Sequence, residues 1–154
     1  MEHVHKHLHR LSITLPLETG IIYFVTGCTR YRREIFVTDA RVKMVIAEIG
    51  ASRDRLRWLV GGVVVMPDHF HLFCSPLDRQ DHDLSRFTGA WRSAVSRKLK
   101  QDGVATPIWQ KSFHDHLLRS DESYGNKWDY VRSNPERAAL NDFQRWFELD
   151  RLER

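Results

Sequence analysis

In the stretch VVVMPDHFHLF, residues 63 to 73, His69 and His71 stand two apart in an apolar run that follows a Pro-Asp pair. In an extended strand residues i and i+2 share a face, with Cα atoms about 6 to 7 Å apart, so two imidazoles at this spacing can converge on one ion. Phe70 and Leu72 then point to the opposite face, toward a core, which reconciles the polar pair with its apolar surroundings. Nine histidines occur in 154 residues, a frequency that yields roughly half an HxH pair by chance, so the spacing needs a second signal. Two imidazoles without a CxxC pair form no closed zinc site. Completed by hard ligands they suit Mg²⁺ or Mn²⁺.

The second signal lies in DESYGNKWDYVRSN, residues 121 to 134, which reads as a helix capped by Ser120, with Asp121 and Glu122 in its first turn and Pro135 limiting it. At 100° per residue Tyr124, Trp128 and Val131 fall within about 60° of one another and form the inward stripe. Tyr130 sits roughly 120° from Tyr124, on a polar face with Asn126, Lys127 and, one turn on, Asn134. A phenol off the core stripe can act as a nucleophile where positive charge stabilises its phenolate. Asn134 can complete a metal shell begun by His69 and His71. Without the histidine pair, Tyr130 would read as a surface tyrosine covering apolar neighbours.

These residues need a scaffold. GIIYFVTGCT (20 to 29) reads as a buried strand, and RYRRE, with Arg30, Arg32 and Arg33, as an exposed basic connection. From Thr38 a helix carries Val42, Val45, Ile46 and Ile49. RWLVGGVVVM (57 to 66) and HFHLFCS (69 to 75) flank Pro67-Asp68 as an antiparallel hairpin. A second helix, 83 to 101, aligns Leu84, Phe87, Trp91, Ala94, Val95 and Leu99. Its Arg86, Arg92, Arg97, Lys98 and Lys100 occupy the remaining faces, solvated by default and phosphate-facing if the partner is DNA. IWQKSFHDHLLRS alternates Phe113, Asp115 and Leu117 as a further strand, and a final helix is expected over about 136 to 152 with Leu140, Phe143 and Phe147. The order β, α, β, β, α, β, α fits the α+β class. The expected architecture is a ferredoxin-like αβ sandwich: a four- to five-stranded antiparallel sheet with helices on one face.

A single catalytic domain is expected over 19 to 154, with a C-terminal helix, behind a flexible histidine-rich arm of residues 1 to 18. No apolar run approaches the roughly 20 residues of a membrane span, and the N-terminus lacks a signal-peptide pattern, so no membrane role and a cytoplasmic location are expected. Cys28 and Cys74 lie apart and read as reduced, buried thiols. Lys and Arg exceed Asp and Glu by 24 to 20, a net +4 that leans toward an anionic partner.

The blocks FVTGCTRYRREIF, MPDHFHLF and WQKSFHDHLLRSDESYGNKWDYVRSNPERAAL together resemble the REP-associated tyrosine transposases, relatives of the single-tyrosine insertion-sequence transposases within the HUH endonuclease superfamily. The resemblance runs over about residues 20 to 140. It implies a bacterial, nucleoid-associated enzyme, monomer or homodimer, that binds single-stranded DNA beside a hairpin or palindromic repeat and cuts and rejoins it. By resemblance His69 and His71 hold a divalent cation, Mg²⁺ or Mn²⁺, at the scissile phosphate. Tyr130 of the YxxxNP block is the nucleophile that forms a 5′-phosphotyrosine, and Asn134 completes the metal site. Lys127, one turn before Tyr130, is either solvated or in touch with the phosphate. Past the NP block many family members run into a glycine- and tryptophan-containing tail, where this chain has AALNDFQRWFELDRLER. Two other readings stand beside this one: a catalytically idle DNA-binding relative, and an RNA-binding ferredoxin-like module that would stack bases on its sheet face.

Overall fold

Strand β1 (Tyr23–Cys28) and strand β3 (His69–Pro76) pair antiparallel at the centre of the sheet, with Thr26 opposite His71 and Cys28 opposite His69. The structure, a computed structural model, describes residues 21–78, 80–118 and 123–152. The expected arm of residues 1 to 18 lies outside them. Strand β2 (Trp58–Met66) forms the predicted hairpin with β3, β4 (His114–Leu117) adds to β1, and β5 (Trp146–Glu148) adds to β2. The five strands run β4-β1-β3-β2-β5, each neighbouring pair antiparallel.

The two long helices are those the apolar spacing predicts. Helix α1 (Asp39–Leu56) is capped by Thr38, whose hydroxyl accepts from Arg41 N, and α2 (Leu84–Gln101) by Asp83, whose carboxylate accepts from Arg86 N. Both pack on one face of the sheet, where Val42, Val45, Ile49, Phe87, Trp91, Val95 and Leu99 meet Val25, Val63, Phe70 and Leu72. No helix among the described residues is long and apolar enough to cross a membrane. Both cysteines are free thiols, Cys74 buried and Cys28 half-buried.

Helix α3 (Tyr124–Arg132) lies on the other face, and two glycines determine its seat. The β2–β3 register shifts between Val60 and Val63, so that Gly61 and Gly62 form a bulge. The bulge reverses the alternation: Leu59 faces the α3 side, Val60 and Val63 the long helices, and Val64 the α3 side again. Any Cβ at Gly62 would lie 2.3 Å from the Trp128 ring, and one at Gly61 would lie 2.6 Å from the Tyr124 hydroxyl. Glycine therefore lets α3 sit directly on the β2 backbone, where Gly62 N donates to Tyr124 Oη at 3.0 Å.

Two expectations are corrected. Helix α3 opens on Ser123, whose hydroxyl accepts from Asn126 N. Ser120, Asp121 and Glu122, expected to start it, lie outside the described residues. The final helix over 136 to 152 is absent: a single turn, α4 (Asn134–Arg137), is followed by the strand β5. Pro135 supplies no N–H to a continuing α3, and the residues beyond satisfy the open edge of β2 instead. Val65 N donates to Arg145 O, Leu149 N to Gly61 O and Asp150 N to Val60 O. The helix-like spacing of Leu140, Phe143 and Phe147 is overridden by a period of two, with Phe147 and Leu149 turned to the long helices and Trp146 turned to Trp128.

Candidate active site

His69 and His71 project from β3 on the α3 face, their rings edge to face with centroids 5.0 Å apart. Each imidazole has its Nδ1 occupied. His69 Nδ1 lies 2.7 Å from Asp68 Oδ1, and His71 Nδ1 lies 2.8 Å from Thr26 Oγ1 on β1. Asp68 is held in turn by Arg32, with Nε donating to Oδ2 at 2.9 Å. Burial pushes the Asp68 carboxyl up, but its hydrogen bonds to His69 and Arg32 outweigh that and hold it below the usual carboxylate range. Burial, helped by the neighbouring His69, pushes the His71 pKa down to about 4, so this imidazole stays neutral. When the neutral His71 ring carries its proton on Nδ1, toward Thr26, its Nε2 is the nitrogen left to ligate.

The stripe of α3 is as the spacing predicts: Tyr124, Trp128 and Val131 are buried against Leu59, Val64, Met66 and Phe73, while Tyr130 is 68% exposed. Burial pushes the Tyr124 phenol pKa up, as befits a core tyrosine. Lys127, on the same flank of α3 as Tyr130, reaches the Phe24 ring, its Nζ 5.1 Å from the ring centre, and Phe24 stacks on His71 at 5.4 Å. Asn134 opens α4 rather than extending α3.

Arg137 organises this end of the helix. Its guanidinium stands 4.2 Å over the Tyr130 ring, donates to Tyr130 O at 3.0 Å, and bonds Ser133 Oγ and Asn134 Oδ1. Sequence reasoning missed Arg137, which lies in α4 beyond the break at Ser133 and reaches back over Tyr130 from there. Asp68 and Thr26 were missed as well. For Asp68 the signal is adjacency to His69. For Thr26 it is a polar residue in an apolar strand, visible once the register of β1 and β3 is known.

The predicted cations divide between two places. Arg30, Arg32 and Arg33 form a tight turn (Arg30–Arg32 and its C-terminal neighbour) whose Arg32 joins the histidine site through Asp68. Arg86 and Arg97 are exposed on α2, across the sheet from the histidines, and are not brought to the site. Arg92 is taken up internally: it donates to Gln110 O at 2.9 Å and its guanidinium lies 5.4 Å from the Trp109 ring.

Among the described residues no three His, Cys, Asp or Glu side chains converge as metal ligands. The two imidazoles alone make an incomplete shell that leaves room for phosphate and water. Asn134 Oδ1 accepts from Arg137, but a carbonyl oxygen has a second lone pair. Two imidazole nitrogens completed by hard oxygen ligands would suit Mg²⁺ or Mn²⁺.

No protein-family model matches the chain. A Haemophilus influenzae protein described as a REP-associated tyrosine transposase is 24% identical over 126 residues, covering 75% of this chain and 70% of its own length. The solved structure of a REP-associated tyrosine transposase bound to a REP hairpin superposes with a TM-score of 0.69 at 22% identity, covering 82% of this chain and 76% of that one. A Deinococcus radiodurans protein described as a transposase superposes with a TM-score of 0.56 at 16% identity, over 80% of this chain and 91% of that one.

Proposed function

We propose that this chain, similar in sequence and fold to REP-associated tyrosine transposases, cuts and rejoins single-stranded DNA beside a hairpin through a covalent link to Tyr130. The observation that carries the reading is the pair His69 and His71, each with Nδ1 engaged, on the sheet face that also bears α3 and its exposed Tyr130.

In this reaction Tyr130 Oη attacks the scissile phosphorus. A bond from phosphorus to the phenol oxygen forms as the bond to the 3′ oxygen breaks. The phenol proton passes to solvent, and the 3′ oxygen takes a proton and leaves as a hydroxyl. The phosphodiester energy is kept in the 5′-phosphotyrosine, so a 3′-hydroxyl can attack in reverse and rejoin strands without ATP. A divalent cation held by His69, His71 and Asn134 supplies charge stabilisation at the phosphate when bound. Arg137, packed over the Tyr130 ring, fixes the direction of the attacking phenol. Lys127, on the same flank, meets the phosphate backbone leading into the site.

The test compares Tyr130→Phe with Tyr124→Phe on a DNA hairpin bearing a single-stranded tail, in Mg²⁺ or Mn²⁺. Wild type and Tyr124→Phe form a denaturant-resistant protein-DNA adduct with a blocked 5′ end. Tyr130→Phe forms none and still binds the hairpin. An adduct with Tyr130→Phe would overturn the assignment. No adduct from wild type on any hairpin would favour an idle DNA-binding relative.

A further inference from the structure

Tyr31 and Arg32 are the two consecutive non-glycine residues among those described that both adopt left-handed backbone, with φ of 58° and 54°. Side chains with a Cβ rarely accept this region, and it persists where the surroundings impose it. Here they do. Thr29, fully buried, donates from N to Asp68 O at 2.9 Å and from Oγ1 to Arg33 O at 2.7 Å. Arg30 N donates to Ile108 O at 2.8 Å, and the Arg33 guanidinium to Pro107 O at 2.6 Å. Ile35 N and Phe36 N both donate to Pro67 O, at 2.9 and 3.0 Å.

The turn so fixed does two things. It brings Arg32 onto Asp68, the carboxylate that holds His69, and so registers the turn against the histidine pair. It also leaves Tyr31 80% exposed, the most exposed large apolar side chain among the described residues, with the Arg30 guanidinium 5.2 Å from its ring centre. Packing does not call for an aromatic at this position. The backbone would be better served by glycine or asparagine. A solvent-facing ring on a fixed backbone, flanked by cations, is what an unpaired nucleobase stacks on.

Building on the single-strand reaction proposed above, we infer that Tyr31 is a base-stacking platform: an unpaired base of the DNA strand next to the cut lies on the Tyr31 ring, and Arg30 meets the adjoining phosphate. Stacking of this kind tolerates any base, so Tyr31 places the strand in register with the histidines without reading its sequence.

The probe is a DNA hairpin whose single-stranded tail carries 2-aminopurine at one position at a time, with the full-length protein in EDTA so that binding is read without cleavage. Wild type quenches the fluorescence at one or two adjacent positions. Tyr31→Ala and Tyr31→Asn lose that quenching and bind about tenfold more weakly, while Tyr31→Trp restores both. Asn suits the left-handed backbone, so Tyr31→Asn keeps the turn and its melting temperature while removing the ring. If wild type binds the tailed hairpin and Tyr31→Asn matches it in affinity and quenching, the platform is overturned and the proposed reaction stands. If wild type binds no single-stranded DNA, the proposed reaction falls and takes the platform with it.

Discussion

Thr26 Oγ1 lies 2.8 Å from His71 Nδ1, across the β1–β3 pairing that sets the two residues directly opposite each other. The contact fixes one ring nitrogen of a neutral imidazole and turns the other outward. Thr26→Val keeps the shape and the strand preference and deletes the hydroxyl. Mn²⁺ affinity, followed by calorimetric titration, should fall about tenfold to a hundredfold. Thermal stability should change by about 1 kcal/mol or less, the usual net worth of one hydrogen bond. An unchanged affinity would remove Thr26 from the orientation of His71.

His69→Ala and His71→Ala should each abolish cleavage of a tailed hairpin while leaving most of the affinity, because affinity rests on phosphate contacts away from the imidazoles. Excess EDTA should reproduce the effect on wild type, and added Mg²⁺ or Mn²⁺ should reverse it. Full cleavage in EDTA would rule out the metal role.

Both long helices, the β2–β3 hairpin and the inward stripe of α3 were legible because each depends on local periodicity: Val42, Val45 and Ile49 at helical spacing, and Tyr124, Trp128 and Val131 on one flank. The exposed Tyr130 was legible by the same rule. What failed was set by contacts distant in sequence. The segment with Leu140, Phe143 and Phe147 carries a helical spacing, yet the unpaired edge of β2 recruits Trp146–Glu148 as a strand. The Gly61-Gly62 bulge was visible as two glycines in a strand pattern, but its purpose appears only once Trp128 is seen resting on Gly62. Arg92 reads as one more helix-surface cation until Trp109, 17 residues later, packs beneath it.

The division of cations between the two sheet faces makes the salt dependence site-specific. Binding of the tailed hairpin should weaken steeply with salt, with log K falling by about 0.7 per log unit of salt for each single-strand phosphate neutralised. Arg30→Ala, in the turn tied to the histidine site, should flatten the slope by about that amount. Arg97→Ala, on α2 across the sheet, should leave it unchanged, as read from fluorescence-anisotropy titrations at several salt concentrations. An equal effect of both substitutions would place the DNA path over α2 as well.

Two glycine-to-alanine substitutions should act in opposite directions. A Cβ at Gly62 would sit 2.3 to 2.5 Å from three atoms of the Trp128 ring, and the ring cannot swing away because Phe73 and Trp146 pack edge to face against it at 6.1 Å each. The clash must be relieved by lifting α3, which also stretches the Gly62 N to Tyr124 Oη bond. Gly62→Ala should therefore cost about 1 to 3 kcal/mol in chemical denaturation. Because α3 carries Tyr130, adduct formation should fall even at temperatures where the protein remains folded. At Gly89, inside α2, an added Cβ would meet nothing within 4 Å. Gly89→Ala should raise stability by about 0.5 to 1 kcal/mol through helix propensity and lost chain entropy, with adduct formation unchanged. If Gly62→Ala left both stability and adduct yield intact, the close seating of α3 on the bulge would not be what positions Tyr130.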